Sequence, residues 1–314
     1  MCYATQRNWK DIQAFLPGNL HLTADHMPRE EWWNWEGHRI HLDTFRDPQA
    51  PVKVILLHGV GTNGRQMTTI LGAPLAKMGF ECVASDMPGY GVTQVRPGAL
   101  VTYDDWVRAG SALIDAETAR DSRPIMLFGL SAGGMLTYHV AALNRKVKGI
   151  VGMTFLDQRV AHVRHMTALH PTVARGIPLI HLATKIPLLR RLKFPMSLVS
   201  KMHALVNDKA ALKVCLRDKS SAGSWVSLKF LSSYMSYRPA IEPDRFDVCP
   251  ILLTQPAADR WTPLQLSDPV LKRIKHVTTK VVMLDEAGHY PLEEPGLTQM
   301  QQAVAEFARD CAKA

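Results

Sequence analysis

The chain has 314 residues, 46% of them hydrophobic, and a formal net charge of +9 at pH 7. This length and apolar content suffice to bury one large core, so neither metals nor disulfides are needed for stability. No apolar run reaches the ~18 residues of a membrane-spanning helix, and no recognition motif accompanies the basic charge, which argues against nucleic-acid binding.

The cysteines indicate a reducing environment. They are five in number and lack zinc-ligand spacing: Cys2, Cys82, Cys215, Cys249 and Cys311. This usage predicts free thiols and no metal site. Since the first residues also lack a basic segment followed by an apolar signal core, we expect a cytoplasmic protein that needs no cofactor.

In chain order, the first predicted element is a hairpin. Residues 32–43 alternate apolar and polar around Gly37. Short apolar runs then recur at 52–57, 80–84, 125–128, 147–153, 251–253 and 281–284, with helical stretches between most of them and a last amphipathic helix at about 299–311. The alternation predicts a mostly parallel sheet with helices on both faces and an antiparallel pair at its start.

One interval, between the strands near Met153 and Ile251, breaks this alternation and is interpreted as an inserted cap. Two apolar sets at helical spacing predict helices packed over the site: Leu198, Met202, Leu205, Leu212 and Leu216, then Trp225, Leu228, Leu231 and Met235. Prolines divide the first half of the interval into loops or short helices, as in a lid: Pro171, Pro178, Pro187 and Pro195.

The positive charge is concentrated in this interval. Residues 159–219 contain twelve Lys and Arg against Asp208 and Asp218, a net charge of +10. Basic and apolar residues lie together at 186–194 (IPLLRRLKF). The pattern is most typical of a solvated cap face. The alternative is peripheral contact with an anionic membrane surface, or an amphiphilic ester with an acidic head.

Four motifs occur along the chain: HGVG at 58–61, GLSAG at 129–133, AADRWTP around Asp259 and AGHYP around His289. The last three contain a candidate nucleophile, acid and base, in the chain order of an α/β-hydrolase catalytic triad. An apolar run precedes Ser131 and helix formers follow it, which predicts a sharp strand-to-helix turn at the serine. Gly129 and Gly133 leave room for that turn.

The chemistry explains these residue types. A serine hydroxyl is a weak nucleophile at neutral pH, so Ser131 must pass its proton to a base, His289. Asp259 would orient the imidazole and stabilise its charged form. Backbone N–H groups of Val60 and Ala132 would bind the oxyanion of the tetrahedral intermediate.

Other residues compete for these roles. Asp157, after the next apolar run, is a displaced candidate acid, and Asp285 and Glu286 stand just before the histidine. Asp285 is too close in sequence to reach around the ring. Twelve other histidines are present, but the setting after a strand favours His289.

These motifs resemble those of a serine hydrolase of the α/β-hydrolase superfamily with a helical cap, over roughly residues 31–310. Residues 86–91 (DMPGYG) resemble the family's D-x-P-G-x-G turn, which is structural more often than catalytic. The resemblance implies a mostly parallel eight-stranded sheet with helices on both faces. The core domain would comprise residues 1–156 and 241–314, and the cap residues 157–240.

The predicted function is cofactor-independent hydrolysis of small carboxylic esters, apolar or amphiphilic, through a Ser131 acyl-enzyme. Relatives of this fold that attack through an aspartate, the haloalkane dehalogenases and epoxide hydrolases, are excluded because the nucleophile is a serine. Thioester or carbon–carbon bond hydrolysis and acyl transfer remain open on the same triad, as does a non-catalytic ligand-binding role.

Overall fold

The computed structural model describes residues 2–170 and 176–313. Its strands are β1 (Arg29–Trp35), β2 (His38–Phe45), β3 (Lys53–Leu57), β4 (Glu81–Ser85), β5 (Ile125–Gly129), β6 (Gly149–Gly152), β7 (Lys193–Pro195), β8 (Trp225–Ser227), β9 (Ile251–Pro256) and β10 (Thr279–Leu284).

The longer helices on the sheet are α4 (Tyr103–Arg120), α5 (Ala132–Asn144) and α12 (Gly296–Lys313). The shorter ones are α1 (Asn8–Gln13), α2 (Gly64–Met67), α3 (Ala73–Lys77), α6 (Ala161–Thr167), α7 (Ile177–Ala183), α8 (Met196–Val199), α9 (Lys209–Arg217), α10 (Leu228–Ser236) and α11 (Asp268–Leu271).

The main sheet has eight strands in the order β1-β2-β4-β3-β5-β6-β9-β10. Strand β2 runs antiparallel to both of its neighbours, and the remaining pairs are parallel. Glu36 and Gly37 turn the opening hairpin with φ of 46° and 81°, as a two-residue type I′ turn requires. The predicted eight-stranded, mostly parallel sheet and its opening hairpin are confirmed.

The central strands are covered on both faces. Every residue of β3, β4, β5 and β9 is buried, since parallel strands with helices on each side meet no water. The helices pack in two groups, α4 with α5 and α3 with α12. Because β3, β5, β9 and β10 run in the same direction, their carboxyl ends, and the loops that follow them, lie at one edge of the sheet.

The DMPGYG turn after β4 is held by its buried aspartate. The Asp86 carboxylate accepts hydrogen bonds from Tyr3 Oη (2.9 Å), Gly64 N (2.7 Å) and Val92 N (2.9 Å). Burial alone would raise the pKa of Asp86, but the hydrogen bond and charge of His41 hold it below its ordinary value. This turn is therefore a structural joint between the N-terminal segment and the loop after β3, in agreement with its expected structural role.

The segment between β6 and β9 differs in part from its prediction. The first apolar set does not form one helix: Leu198 lies in α8 and Leu212 in α9, separated by an extended residue, Ser200 (φ −130°, ψ 164°). Helix α9 begins where it does because the Asp208 side chain accepts a hydrogen bond from Ala211 N. The spacing spanned two separate helices, and its member in α8, Leu198, is exposed.

The second apolar set is also divided. Trp225 belongs to β8, which pairs antiparallel with β7. Helix α10 begins only after Ser227, whose hydroxyl accepts a hydrogen bond from Phe230 N. The helix predicted over Leu228, Leu231 and Met235 is therefore confirmed without Trp225.

The prediction of short pieces between the prolines is confirmed where the structure describes them. Pro178 lies in the first turn of α7, and Pro195 precedes α8. Pro171 lies outside the described residues. Within residues 2–170 and 176–313, no helix is both long and apolar enough to cross a membrane, and no three His, Cys, Asp or Glu side chains cluster as metal ligands.

Candidate active site

Ser131 lies at a strained turn between β5 and α5. Its backbone has φ 58° and ψ −123°, a conformation that costs a non-glycine residue about 1–3 kcal/mol. The turn is so tight that a Cβ on Gly129 would lie 2.0 Å from Gly133 O. The structure therefore has the predicted sharp strand-to-helix turn, and position 129 requires a glycine. The Ser131 side chain projects from the end of β5.

Asp259 and His289 follow two neighbouring parallel strands, β9 and β10. Backbone hydrogen bonds join the loops, from Ala257 N to Leu284 O (2.8 Å) and from Ala258 N to Ala287 O (3.0 Å). As a result, His289 Nδ1 lies 2.9 Å from Asp259 Oδ2, with both side chains buried.

The Asp259 carboxylate is bound on both oxygens. Oδ1 accepts from Trp261 N (2.7 Å) and Thr262 N (2.8 Å), and Oδ2 accepts from Thr262 Oγ1 (2.6 Å). Burial would raise the pKa of Asp259, but the charge and hydrogen bond of His289 and the bonds from Thr262 lower it to about 2. The carboxylate therefore stays ionised at neutral pH and holds the proton of His289 on Nδ1.

The other ring nitrogen, His289 Nε2, is buried and has no hydrogen-bond partner among the described residues. With the proton on Nδ1, Nε2 carries a free lone pair that can accept a proton. The Trp261 ring lies 4.6 Å from the His289 ring between centroids. Since Trp261 and Ser131 line the same pocket, that pocket links the serine to the histidine pair.

No hydrogen bond joins Ser131 Oγ to His289 Nε2 in this structure. Such bonds are often long in the absence of substrate and shorten in the reacting complex. The structure thus pairs Asp259 with His289 directly and brings Ser131 to the pocket beside them.

The loop after β3 packs on the serine turn. A Cβ on Gly59 would lie 2.7 Å from Leu130 O and 3.0 Å from Ser131 Cβ. Ala132, as the first residue of α5, has its N–H outside the intrahelical ladder. Among the described backbone hydrogen bonds, none uses the N–H of Val60 or of Ala132, so both remain available to a ligand.

Two side chains that sequence reasoning did not assign support this loop. His58 Nε2 accepts from Met87 N (2.9 Å), and its Nδ1 donates to Gly59 O (2.8 Å). Burial lowers the pKa of His58, so its ring is neutral with the proton on Nδ1. Tyr90 Oη donates to Val60 O (3.0 Å). His58 is therefore a support of the loop.

The pocket beside Ser131 is mostly apolar, with an empty volume of about 660 Å³ that includes space open to solvent. The segment between β6 and β9 supplies most of its walls. The residues that line it include Val60, Ser131, Ala132, Arg164, Met196, Val199, Ser200, Phe230, Leu231, Tyr234, Met235 and Trp261.

The competing acids Asp157 and Asp285 have other hydrogen-bond partners. Asp157 is bound by Arg159, with Nη2 to Oδ2 at 2.8 Å, and Arg159 also pairs with Glu242. Asp285 exchanges hydrogen bonds with Gln299, through its backbone N–H and its carboxylate.

Thr262 was missed by sequence reasoning, although an Asp followed three residues later by Thr is a recognisable signal of a side-chain-bonded turn.

The chain is similar in sequence to known hydrolases. The sequence model described as "Alpha/beta hydrolase family" matches residues 54–307. Protein phosphatase methylesterase 1 of Bos taurus is 29% identical over 119 residues, 37% of this chain and 31% of that protein. The chain thus matches less than a third of the length of this relative.

Solved structures share the fold at low sequence identity. A monoacylglycerol lipase of Paleococcus ferrophilus has a TM-score of 0.68 and 20% identity, covering 87% of this chain and 99% of that one. A soluble variant of monoglyceride lipase from Saccharomyces cerevisiae has a TM-score of 0.71 and 16% identity, covering 94% and 98%. Carboxylesterase CesB of Bacillus subtilis has a TM-score of 0.58 and 16% identity, covering 96% and 95%.

Proposed function

The chain belongs to the alpha/beta hydrolase family, and from this premise we propose that it hydrolyses carboxylic esters through an acyl-enzyme on Ser131. One observation carries the proposal. His289 is bonded through Nδ1 to an ionised Asp259, leaves Nε2 free, and contacts Trp261 in the wall of the Ser131 pocket. The lipase and esterase neighbours support ester bonds as the target.

The reaction proceeds in two halves. His289 Nε2 takes the proton of Ser131 Oγ as that oxygen attacks the ester carbonyl carbon. The carbon–oxygen bond of the tetrahedral intermediate then breaks, and His289 returns the proton to the leaving alcohol. Water enters, loses a proton to His289 and attacks the acyl carbon. The acid is released and Ser131 regains its proton.

Asp259 and the loop after β3 assist these steps without transferring a proton. Asp259 keeps the imidazole oriented and stabilises its charged form. The N–H groups of Val60 and Ala132 bind the negative oxygen of the intermediate, and losing one such donor typically costs ~3 kcal/mol. The N-terminus of α5 adds a favourable partial charge at the same place.

The substrate is expected to carry an apolar group, because Val199, Phe230, Leu231 and Met235 line the pocket. We expect kcat/KM for p-nitrophenyl esters to rise with acyl length by up to about fourfold per methylene until the pocket is filled, following ~0.8 kcal/mol per buried methylene. The measurement is the initial rate on esters from acetate to palmitate.

The Ser131→Ala variant is the blank of that experiment. A flat profile along the series would contradict the assignment of the pocket to the acyl group. If no ester is cleaved faster by the wild type than by the blank, ester hydrolysis itself is rejected, in favour of thioester or carbon–carbon bond hydrolysis, acyl transfer or ligand binding without turnover.

We also propose that residues 157–240 form a cap on a core of residues 1–156 and 241–314. Met196, Phe230 and Tyr234 of that segment line the pocket opposite Ser131. Such a cap excludes water from the acyl pocket and selects the substrate by shape.

Exposed side chains of this segment support the alternative interpretation, contact with an anionic membrane. Leu188 is 76% and Leu179 71% exposed. The segment exposes six further apolar side chains and also contains basic residues: Leu182, Ile186, Leu192, Phe194, Leu198 and Trp225, with Lys185, Arg190, Arg191, Lys193 and Lys201. A surface both apolar and cationic matches the interface of an anionic bilayer.

This surface adjoins the pocket. Met196 and Val199 line the pocket, whereas Leu198, between them in α8, is exposed. One short helix therefore contacts both sides, and a membrane-bound enzyme would present its pocket wall next to the lipid.

We expect the triple variant Leu179→Ser, Leu182→Ser, Leu188→Ser to bind anionic vesicles at least about tenfold more weakly, since burying one leucine contributes ~1.5–3 kcal/mol. The measurement is co-sedimentation with phosphatidylglycerol–phosphatidylcholine vesicles. The matched control is Val281→Ser, Met283→Ser, which removes exposed apolar side chains of β10. Equal sedimentation of the triple variant and the wild type would refute the contact.

A further inference from the structure

One cation of the pocket wall has no acidic partner. Arg164, on α6, lines the same pocket as Ser131 and Trp261. Among the described residues, no carboxylate lies within ion-pair distance of its guanidinium. The pocket therefore combines apolar walls with one uncompensated positive charge.

The hydrogen bonds of Arg164 leave one edge of the guanidinium free. Nη1 donates to Gln158 O (2.8 Å) and Arg159 O (2.6 Å). Nε is buried and has no partner among the described residues. None of the described hydrogen bonds involves Nη2. The Nη1 contacts fix the plane of the group, and the Nε–Nη2 edge is left without an acceptor.

Its neighbour Arg159 shows the contrast. Arg159 binds Asp157 through Nε and Nη2 and Glu242 through Nη1. Asp157 and Glu242 are thus both paired with Arg159. Arg164, in contrast, lines the pocket and has no carboxylate partner among the described residues.

The free edge has a defined chemical preference. Nε–H and one Nη2–H of a guanidinium point in parallel and match the two oxygens of a carboxylate. In an apolar pocket such a pair is stronger than in water, because the local dielectric constant is lower. A buried donor without an acceptor is also unfavourable, which adds to the preference for a carboxylate. A neutral hydrocarbon in the pocket would leave that donor unsatisfied.

We propose that Arg164 forms a carboxylate subsite, and that the substrate is an ester whose apolar part ends in a free carboxylate. This inference rests on the proposed ester hydrolysis and narrows its substrate class. The hydrocarbon contacts the apolar wall, the ester carbonyl reaches Ser131, and the terminal carboxylate binds the Nε–Nη2 edge. Arg164 is a specificity-determining residue in this arrangement.

The test compares two ester series of equal length. Mono-p-nitrophenyl esters of dicarboxylic acids, from butanedioate to decanedioate, are measured beside the p-nitrophenyl esters of the corresponding fatty acids. At the matching length, we expect the wild type to favour the carboxylate ester in kcat/KM by roughly 10- to 100-fold, the effect of a hydrogen-bonded charge pair. The Arg164→Gln variant is expected to lose that ratio, and Arg164→Lys to keep part of it.

Lys213→Gln is the matched control, since it removes the same charge from an exposed site on α9. Its ratio should equal that of the wild type, because the effect is local. A wild-type ratio near one at every length, or an unchanged ratio in Arg164→Gln, overturns the subsite. Cleavage of the neutral series alone would leave the ester hydrolase proposal standing. Absence of Ser131-dependent cleavage in both series would reject the hydrolase itself.

A second measurement uses the wild-type protein alone and does not depend on the folding of a variant. Octanoate should inhibit hydrolysis of a neutral ester at a concentration roughly tenfold or more below that needed for octanamide, which has the same chain without the carboxylate, if the carboxylate binds Arg164. Equal inhibition by the two compounds contradicts the subsite.

Discussion

Replacing Ser131 with alanine is expected to lower kcat for ester hydrolysis by about 10⁴- to 10⁶-fold. The substitution removes only Oγ, the attacking atom, and keeps a side chain that the strained turn already accommodates. The residual rate would come from the N–H groups of Val60 and Ala132 and from binding in the pocket. The measurement is kcat at saturating p-nitrophenyl ester, normalised to folded protein.

Two controls distinguish the loss of a nucleophile from a general effect on the pocket. Ser200 also lines the pocket, but its hydroxyl donates to Met196 O (3.1 Å), so Ser200→Ala should have a far smaller effect. A fluorophosphonate should label the wild type at Ser131 and leave Ser131→Ala unlabelled. An alanine variant with the wild-type rate per folded molecule would end the acyl-enzyme proposal.

Replacing Asp259 with asparagine is expected to lower kcat by about 10⁴-fold. The reason lies in the bonds of the carboxylate. Oδ1 accepts from Trp261 N and Thr262 N, so the amide oxygen of an asparagine must occupy that place. Its amino group then replaces Oδ2 and faces His289 Nδ1.

An amino group in that place donates to Nδ1 and drives the ring proton to Nε2. A protonated Nε2 cannot accept the proton of Ser131 Oγ, so the base is lost even though the fold is kept. We would measure kcat together with the thermal midpoint, which should change little compared with the rate.

The matched control is Asp157→Asn. This change weakens the pair with Arg159 and should affect stability more than chemistry. Activity that survives in Asp259→Asn and disappears in Asp157→Asn would reverse the assignment of the acid.

The sheet could be predicted from the sequence because its strands are short, continuous apolar runs separated by helix formers. A strand buried on both faces needs apolar residues at every position, and β3, β5 and β9 meet that need. The opening hairpin was predictable because its turn contains Gly37, which adopts a positive φ. Local sequence carries both signals.

The site was predictable to the extent that its geometry is local. G-x-S-x-G encodes a turn within five residues, and the loops after β9 and β10 carry Asp259 and His289. Tyr90 was not assigned beforehand, because its hydrogen bond to Val60 depends on how two separate loops meet. The hydrogen bond from Thr262 to Asp259 is local, and its sequence signal was overlooked.

The β6–β9 segment was the least predictable part. Apolar spacing predicted helices, but it could not locate the extended Ser200 between α8 and α9 or the pairing of Trp225 with Pro195. Helical periodicity does not tell buried apolar residues from exposed ones, and Leu198 and Trp225, which fitted the spacing, are 59% and 58% exposed.

The sequence alone determined the family resemblance, the order of the candidate nucleophile, acid and base, and the basic charge of residues 159–219. Tertiary structure alone decided which charges are paired. Arg159 and Arg164 are five residues apart, yet Arg159 binds the distant Glu242 as well as its neighbour Asp157, while Arg164 lines the pocket without an acid. Ion pairs and pocket walls form between segments far apart in the chain, so their partners follow from packing and not from local pattern.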